Sequence, residues 1–546
     1  MHIKRPLREI YSQAGDYLKF KFPFIYNENN FVLGEENERE QKEENKSKKK
    51  LSGYYLSDLA LLKQEFGYKV SGDVKLREFT VYIDENDVDA ALFYVDGLVN
   101  KSILNNFILM PMMIHSREMN IKNVKDVFTV LLPQAEATEE DIAGELSYAL
   151  NFGSAVLLVN GFDKAIAIDI KGWNSKPIGE PQSEKVIRGP NDAFNEQLRS
   201  NTALIRRLVR SSDLISTEKT IGKISRTPCS ILYMKNIADE KLVNEVIRRV
   251  DNLSIDYIMT SAELELYIEE KTYSSIPQFL STERPDRTAK AILDGKVAIL
   301  VDGSPYALLM PATFYELNES TEDAYLRYPY ANMMRLVRAV AFFFSMLLPG
   351  IYIAVMNFHN ELLPTNLLIA IIAARQEVPF PAFIELIFME IALEIIREAG
   401  VRVPTPSGST LSIVGALILG QAAVEAGIVS PVVIIVVSLA AIGSFATPNY
   451  YLGLSARVMK FVYIFLGGFA GILGICAGLY IHALLWVSTL SLGVGMFAPF
   501  APKTSSETLA GLFVNPIWKR ERRPDFQNPK RKYKESKISR QWKYKQ

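Results

Sequence analysis

Apolar and polar residues divide this chain into a mixed polar front that ends near residue 330 and an apolar block that follows it. Short apolar runs separated by turn residues mark the front. The segment "SAVLLVNGFDKAIAID" (154–169) predicts a strand, an Asn-Gly turn and a second strand. The segment "KVAILVDGSPYALLMP" (296–311) repeats this pattern with Asp-Gly at the turn. Both segments therefore predict β-hairpins.

A second pattern also occurs twice. The segments "AALFYVDGLVNKSILNNFILMPMM" (90–113) and "SILYMKNIADEKLVNEVIRRV" (230–250) each predict a strand, a turn and a helix. The front is therefore predicted to be an α/β soluble region of two similar subdomains, each with a small mixed sheet, at 51–215 and 216–330. The break between them is expected near Ser211–Lys223. Residues 1–50 end in "GEENEREQKEENKSKKK", which predicts a disordered, charged N-terminal extension.

The apolar block predicts an all-α polytopic membrane domain at 331–503, because a bilayer core requires about 20 apolar residues per helix. The segment 363–374 is too short to cross and is expected to lie at the interface or to re-enter. About six spans are predicted, at 336–358, 379–397, 410–429, 431–448, 461–485 and, as a shorter sixth, 485–502.

The distribution of charge supports this interpretation. The net charge is zero and 22% of residues are charged, but residues 341–500 contain only five Lys/Arg and seven Asp/Glu. Six crossings place all of the flanking Lys/Arg except Arg375 on one side, together with both termini, and that side is predicted to be cytoplasmic. The alternative, a soluble all-α core, is disfavoured by the long uncharged runs. The basic tail, 504–546, is predicted to be cytoplasmic, and its end (518–546) holds twelve Lys/Arg against three Asp/Glu.

Acidic and amide side chains inside predicted spans are the candidate functional residues, since polar groups at membrane depth face a bundle interior or a water cavity. Two interpretations stay open: a polar stripe that lines an ion path or a subunit contact, and an interhelical network satisfied by Arg397 or Arg402. Glu390 is favoured for function because it lies deeper than Glu394 and has no obvious local partner. The candidates are Glu385, Glu390, Glu394, Gln421 and Glu425.

Small residues are dense in "GALILGQAAVEAG" (415–427) and "GGFAGILGICAG" (467–478). Such spacing lets membrane helices approach closely. It is typical both of an oligomeric assembly and of ordinary packing within one chain.

The front carries no motif for catalysis: it has no P-loop, no dinucleotide fingerprint and no zinc spacing. No catalytic residue, metal site or cofactor is therefore expected, and an enzyme is the least favoured class. The polar segment 180–207 contains Arg188, Arg199 and Arg206 and predicts an anion or subunit contact, or else a solvated helix. Arg284 and Asp286, in a predicted loop and helix cap at 281–295, are candidates for an inter-domain or inter-subunit contact.

Several of these segments resemble the A-subunit family of spore germinant receptors, the GerA type. The resemblance spans about Leu51 to Pro502, and its motifs occur in the order of the family. They are "EPQSEKVIRGP", "TERPD", "LVDGSP", "LPGIYIA", "VPFPAFIEL", "EIIREAGVRVP", "IVGALILGQAAVEAGIVSP" and "FATPNY".

The resemblance implies a multi-pass protein of the spore inner membrane that triggers germination. It implies a complex with a transporter-like B subunit and a lipoprotein C subunit, and a homo-oligomer, expected to be a pentamer, that forms a nutrient-gated channel for monovalent cations. The alternatives are a GerA-family paralogue found with the dipicolinate-channel proteins, a secondary transporter and a passive scaffold. Membrane lipids are the expected partner of the basic tail, and no nucleic acid is expected.

Overall fold

The computed structural model of the chain describes residues 49–119, 130–132, 137–172, 180–181, 183–402, 415, 418–504 and 513–534. Two sheet-containing subdomains come first, a group of apolar helices follows, and residues 513–534 return to the second subdomain. The predicted extension at 1–50 lies outside the described residues except for Lys49 and Lys50.

The first subdomain is built on a five-stranded sheet in the order β1-β2-β4-β5-β3. A helical segment follows β2, with a π-helix at Leu104–Leu109 between α-helical turns at Lys101–Ile103 and Met110–Met113. The described strands and longer helices are α1 (Tyr55–Glu65), β1 (Val74–Ile83), β2 (Asn86–Val95), β3 (Ala137–Glu140), α2 (Ala143–Asn151), β4 (Ser154–Val159) and β5 (Ala165–Asp169).

The second subdomain repeats this arrangement, with the strand order β6-β7-β9-β10-β8. The two sheets thus share one topology, as the prediction of two similar subdomains requires. The repeated order of elements starts at α3, and the predicted division after residue 215 falls inside β6. The elements are α3 (Leu198–Leu208), β6 (Leu214–Ile221), β7 (Thr227–Met234), α4 (Glu240–Asp251), α5 (Ser261–Ile268), β8 (Leu280–Thr282), α6 (Pro285–Asp294), β9 (Val297–Val301) and β10 (Ala307–Met310).

The prediction of mixed sheets is wrong, because every pair of neighbouring strands in the two sheets is antiparallel. Short turns join β4 to β5 and β9 to β10, and a short turn can only reverse the chain. Gly161 and Gly303 stand in these turns with φ of 86° and 83°, as expected for Asn-Gly and Asp-Gly. The two sheet-containing subdomains are therefore α+β, with helices packed on antiparallel sheets.

The apolar block forms helices α7 (Tyr328–Phe358), α8 (Thr365–Ala374), α9 (Ala382–Arg402), α10 (Pro431–Phe445) and α11 (Tyr450–Val487). Residues 418–425 are helical as well. Within the described part of the chain, α7 and α11 are the two helices long and apolar enough to cross a membrane, each with a mean hydropathy of 2.1. The predicted span 410–429 lies partly outside the described residues.

Helix α11 doubles back on itself at Gly471, which has φ 60° and ψ −148°. The Tyr463 hydroxyl lies 2.9 Å from Nδ1 of His482, 19 residues later. In a straight helix those residues would be about 28 Å apart. We call residues 450–470 the first arm and 472–487 the second arm. The arms are antiparallel, so the single span predicted at 461–485 is wrong.

The shorter sixth span predicted at 485–502 is also wrong. After α11 ends, β11 (Leu490–Ser491) and β12 (Val494–Gly495) form a small hairpin around Gly493, with φ 82°. Ser491 donates from its hydroxyl to the Gln278 carbonyl at 2.5 Å and accepts from the Ala312 N–H at 3.0 Å. Turn-forming and polar residues therefore turn this apolar segment toward the second subdomain.

An aromatic cluster joins the second subdomain to the helices. The ring of Phe314 stacks on Phe497 with centroids 5.0 Å apart, and lies 5.7 Å from Trp486 and 5.6 Å from Phe342. These residues belong to a buried core that continues from β9 and β10 into α7 and α11. Since the core is continuous, the second subdomain and the first helix are packed together as one body.

The tail residues 513–534 pack on the second subdomain and on the start of α7. Asn332 exchanges two hydrogen bonds with the backbone of Val514, and Lys530 bonds to Glu240 at 2.7 Å. Arg523 is buried and donates to the Leu293 carbonyl at 2.8 Å. Within the described part of the tail, Arg523 and Lys530 thus contact protein.

Candidate functional site

Glu385 begins the acidic series of α9 and is buried with an exposed fraction of 1%. Its Oε1 accepts from Arg375 at 3.0 and 3.2 Å, and its Oε2 accepts from the Ser430 N–H at 2.9 Å. Arg375 ends α8, and Ser430 is the N-cap residue of α10. The Glu385 carboxylate thus ties together three helix ends in an apolar bundle.

Glu390 is also 1% exposed and pairs with the ammonium of Lys460, which lies in the first arm of α11. The sequence analysis expected no local partner for Glu390, and its partner indeed lies 70 residues away along the chain. Its second oxygen, Oε1, has no hydrogen-bond partner among the described residues. Removing one partner of a buried ion pair leaves an uncompensated buried charge, which is strongly destabilising.

Glu394 is the most accessible of the three, with a side chain 39% exposed. It bonds to Arg397 at 3.1 Å, as the sequence spacing predicted, and to Arg457 of the first arm at 2.9 Å. The Arg397 guanidinium lies 4.9 Å from the centre of the Phe445 ring. This cluster connects α9, α10 and α11.

Sequence reasoning missed Arg375, Arg457 and Lys460 as partners. One signal could have found them. The apolar block holds only five Lys/Arg between residues 341 and 500. Since a lone charge at membrane depth is costly, scarce cations and scarce carboxylates are expected to pair. Four of those five cations do so in the described structure, and the side chain of the fifth, Arg402, lies outside it.

Gln421 and Glu425 are both exposed, one helical turn apart in residues 418–425. Residues four apart share one face of a helix. No hydrogen bond or ion pair recorded among the described residues joins them to Glu385, Glu390 or Glu394. The five candidates therefore fall into three groups: two buried carboxylates, one half-exposed carboxylate and one exposed polar pair.

Arg206 connects the two soluble subdomains. It lies on α3, and its side chain is 2% exposed. Its guanidinium pairs with Asp73 and donates to Asn151 Oδ1 at 2.8 Å and to Ser71 Oγ at 2.9 Å. Burial alone would raise the pKa of Asp73, but the Arg206 guanidinium holds it below its usual value. The solvated-helix interpretation is therefore wrong at Arg206.

Arg199 lies about two helical turns before Arg206 on α3. It pairs with Glu218, and its guanidinium also lies 3.7 Å from the Asp96 carboxylate. Together with Lys101 and Arg207 it lines a cleft of about 270 Å³ between the subdomains. Arg188 is exposed on the loop before α3 and does not join this group. Of the arginines predicted in segment 180–207, the structure thus brings Arg199 and Arg206 to the boundary between the subdomains.

Arg284 and Asp286 stand at the start of α6 and bond to each other at 3.0 and 3.1 Å. The Arg284 guanidinium donates to the carbonyls of Glu184 and Pro190, and Asp286 accepts from the Tyr325 hydroxyl at 2.5 Å. Tyr325 comes just before α7. The pair therefore links the loop at 183–190 to the segment that leads into the helices.

Two further polar contacts hold the helices to the second subdomain. Asp323 is buried and pairs with Arg335 and Arg338, both in the first turns of α7. Ser275 accepts from the Trp486 indole N–H at 3.1 Å and lies 3.1 Å from Nε2 of His482. A chain of hydrogen bonds thus runs from Ser275 through His482 to Tyr463, across both arms of α11.

Within the described ranges, no group of three or more His, Cys, Asp or Glu side chains could hold a metal ion. The geometry is that of a charged scaffold, in which soluble subdomains and apolar helices are joined by ion pairs.

Comparison with known proteins now identifies the family. A family model described as the Bacillus/Clostridium GerA spore germination protein matches residues 60–526, which include both halves of the chain. Spore germination protein KA of Bacillus subtilis (strain 168) is 36% identical over 483 residues, or 88% of each chain. The uncharacterized membrane protein YfkQ of the same organism is 36% identical over 453 residues, 83% of this chain and 87% of that protein.

A solved structure, the N-terminal domain of the A subunit of the Bacillus megaterium spore germinant receptor GerK3, aligns with 49% of this chain and 98% of that domain. The identity is 26% and the TM-score is 0.37. On the family match and the sequence relatives, the chain belongs to the GerA family of spore germination proteins.

Proposed function

We propose that this chain is the A subunit of a spore nutrient germinant receptor, and that it oligomerises into a nutrient-gated cation channel in the spore inner membrane. Membership of the GerA family supports the germination role. The relative called a membrane protein supports the location. In this proposal the soluble subdomains assemble copies and pass the signal to the helices.

In the proposed topology the chain crosses the membrane six times: by α7, α9, the helix that contains 418–425, α10 and the two arms of α11. Contacts between helix ends support this topology, in which successive crossings run in opposite directions. At one end of the bundle, His359 at the end of α7 lies beside Gly471, where the arms of α11 meet. At the other end, Gly443 of α10 lies against Ala341 in the first half of α7.

The tail supports an even number of crossings. Residues 513–534 contact α4, α6 and the start of α7, all of which precede the first crossing. A segment that packs on the soluble subdomain lies on the same side of the membrane as that subdomain. Both termini are accordingly proposed to be cytoplasmic.

The single observation that carries the proposed conduction path is the difference in exposure among the carboxylates. Glu385 and Glu390 are sealed against Arg375 and Lys460, whereas Glu394 and Glu425 remain accessible in a single chain. Carboxylates around a pore favour cations, and several copies multiply their field. We therefore assign Glu394, Gln421 and Glu425 to the surface between copies, and Glu385 and Glu390 to latches that hold the closed bundle.

The proposed complex includes a transporter-like B subunit, a lipoprotein C subunit and membrane lipids, with five copies of this chain in the ring. Membership of the GerA family supports a complex with other receptor subunits. The soluble subdomains offer the surface for them, and Arg188 is one exposed residue on that surface.

The test measures release of potassium from spores after nutrient addition. Glu425→Gln and Glu394→Gln should slow release while the amount of receptor stays unchanged. Glu361→Gln, an exposed carboxylate between α7 and α8, is the matched control and should leave release unchanged. Normal release in both test variants, with normal protein levels, contradicts the conduction role. If chemical cross-linking yields only the mass of a single copy, the proposed oligomeric ring is wrong.

A passive scaffold is the second candidate, and a specific observation favours it: three carboxylates of α9 are paired with cations in this state. A scaffold needs those pairs only for packing. It therefore predicts that germination survives Glu394→Gln and Glu425→Gln, and is lost only when helix packing fails. The potassium measurement separates the two candidates directly.

A further inference from the structure

One turn of the second subdomain stands beside the end of the helical bundle. Lys271 donates from its ammonium to the Ser488 carbonyl at 2.7 Å and to the Ser488 hydroxyl at 2.8 Å. Ser488 is the residue at which the second arm of α11 ends. Four residues after Lys271, Ser275 contacts His482 and Trp486 of the same arm. The turn is thus fastened to the bundle on both sides.

The tip of this turn is Tyr273, whose side chain is fully exposed at 104%. The base of the turn is held by hydrogen bonds: the buried side chain of Gln278 accepts from the Glu270 N–H at 2.8 Å and donates to the Lys271 carbonyl at 2.8 Å, and the Ser274 N–H donates to that carbonyl at 3.0 Å. The turn therefore presents the aromatic side chain of Tyr273 to the surroundings.

Apolar side chains continue from this tip in two directions. Leu266 and Tyr267, at the end of α5, are 65% and 51% exposed. The neighbouring helix ends expose Tyr450 of the first arm and Leu485 of the second arm. The edge of the second subdomain, 266–273, therefore carries exposed apolar side chains next to the helix end that Lys271 and Ser275 contact.

We infer that the edge 266–273 of the second subdomain lies in the headgroup layer of the same bilayer that the helices cross, with Tyr273 and Tyr267 as interfacial anchors. The inference rests on the proposed membrane location. Tyrosine is favoured at this depth because its ring is apolar and its hydroxyl stays hydrated. The edge carries two acidic residues: Glu270 pairs with Arg249 at 2.9 Å, and Glu269 is half-buried, with its pKa raised by burial, which favours its neutral form.

The probe is a fluorescent label on cysteine in the full chain, reconstituted into phosphatidylcholine vesicles that contain either spin-labelled lipid or iodide in the surrounding water. Cys229 is buried and Cys476 is exposed in the second arm of α11. Label at Cys476 therefore reports whether the helices are in the membrane. Tyr273→Cys in a Cys476→Ser background reports the edge, and Tyr148→Cys in that background, on α2 of the first subdomain, is the matched control.

Lipid quenching at position 273, with iodide quenching at least halved relative to position 148, supports the inference. If Cys476 is quenched by lipid but position 273 is quenched by iodide as strongly as position 148, the inference is wrong and the membrane location stands. Protection of position 273 from both quenchers means that protein covers the edge, which also overturns the inference. If neither position 476 nor position 273 is quenched by lipid, the proposed membrane location itself fails.

Discussion

The hydroxyl of Tyr463 lies 2.9 Å from Nδ1 of His482, although both residues belong to α11 and are 19 residues apart. This contact exists because the helix reverses at Gly471. It places the second arm against the first and returns the chain to the second subdomain, where Trp486 meets Ser275. Because of the reversal, the residues after α11 lie at the end of the helical bundle that faces the second subdomain.

Gly471→Ala should destabilise the protein. The backbone of Gly471 is at φ 60° and ψ −148°, a region open essentially to glycine alone, and an added Cβ would lie 3.1 Å from Nε2 of His359. We expect a loss of about 1–3 kcal/mol, measured as a lower unfolding temperature in detergent. Gly415→Ala is the control, because its added Cβ meets nothing within 4 Å. Equal unfolding temperatures for the two variants would contradict the reversal.

Lys460→Met should leave Glu390 buried without its cation. Removing one partner of a buried pair costs about 3–5 kcal/mol, whereas replacing both partners is much milder. The double variant Glu390→Gln/Lys460→Met should therefore be more stable than Lys460→Met alone. The measurement is a double-mutant cycle of thermal unfolding in detergent. Additive effects of the two changes would show that the pair does not form.

Arg206→Ala should separate the soluble subdomains, because it leaves the Asp73 carboxylate buried and unpaired. The expected loss of stability is about 3–5 kcal/mol. Lys219→Ala, which breaks an exposed pair with Asp251, is the control and should cost less than about 1 kcal/mol.

The same pair should depend on pH. The folded pKa of Asp73 is lowered, so its contribution to stability is present above pH 3.8 and is lost as pH falls through the folded pKa. The difference from wild type should shrink in that acid range. A difference that stays constant with pH argues against the Asp73 partnership.

Glu265 should make stability depend on pH near neutrality. Burial, with a smaller effect of Glu269, raises its pKa from 4.5 to about 7. Between these values the folded state binds more protons than the unfolded state, so stability falls as pH rises from 4.5 to about 7. Glu265→Gln should stabilise the protein by up to about 3 kcal/mol above pH 7, and the gain should vanish below pH 4.5.

The measurement is thermal unfolding of wild type and variant across that pH range. Glu85→Gln, in the exposed turn between β1 and β2, is the control and should show no such dependence. A Glu265→Gln gain that is the same at pH 4 and pH 8 would rule out the raised pKa.

Arg523→Ala should loosen the tail from the second subdomain. The guanidinium donates to the Leu293 carbonyl and to the Tyr533 carbonyl, at 2.8 and 2.5 Å. Loss of hydrogen bonds from a buried charged group costs about 1–3 kcal/mol. Chymotrypsin should then cut the tail faster at Tyr533. Lys519→Ala, at an exposed lysine of the same tail, is the control, and equal cleavage of both variants would argue that Arg523 does not hold the tail.

The hairpins of the soluble region could be predicted because Asn-Gly and Asp-Gly favour positive φ at the glycine, a local property of the backbone. The antiparallel pairing of β2 with β4 depends on contacts between residues far apart in the sequence. The prediction of a mixed sheet failed because it rested on local patterns alone. Arg206 was a predicted contact residue, but its partner could not be predicted for the same reason: Asp73 lies 133 residues away along the chain.

The helical half was predicted in outline, but hydropathy does not distinguish one long span from two antiparallel arms. Helix α11 has 38 residues, and a straight helix of that length would measure about 57 Å, nearly twice the thickness of a bilayer core. The glycines at 467–478 were interpreted as a packing motif. Gly474 and Gly478 indeed lie against Leu466, but they do so across the reversal.

The candidate carboxylates were found because charge inside an apolar run is conspicuous. Their partners were not, since helical spacing reveals only neighbours such as Glu394 and Arg397. The pairing of Glu390 with Lys460 depends on how α9 packs against α11, which no local pattern encodes. The requirement that each of the five cations between residues 341 and 500 pairs with a carboxylate would have limited the candidate partners of Glu390.

The seating of residues 513–534 on α4 and α6 has a consequence for how the protein is made. The second subdomain and all the apolar helices are synthesised before the tail, so Asp239, Glu240 and Asp294 gain Asn528, Lys530 and Lys534 as partners last. The packing of the second subdomain is therefore complete only after the whole apolar block has been made, and a chain that ends before residue 513 would lack these contacts.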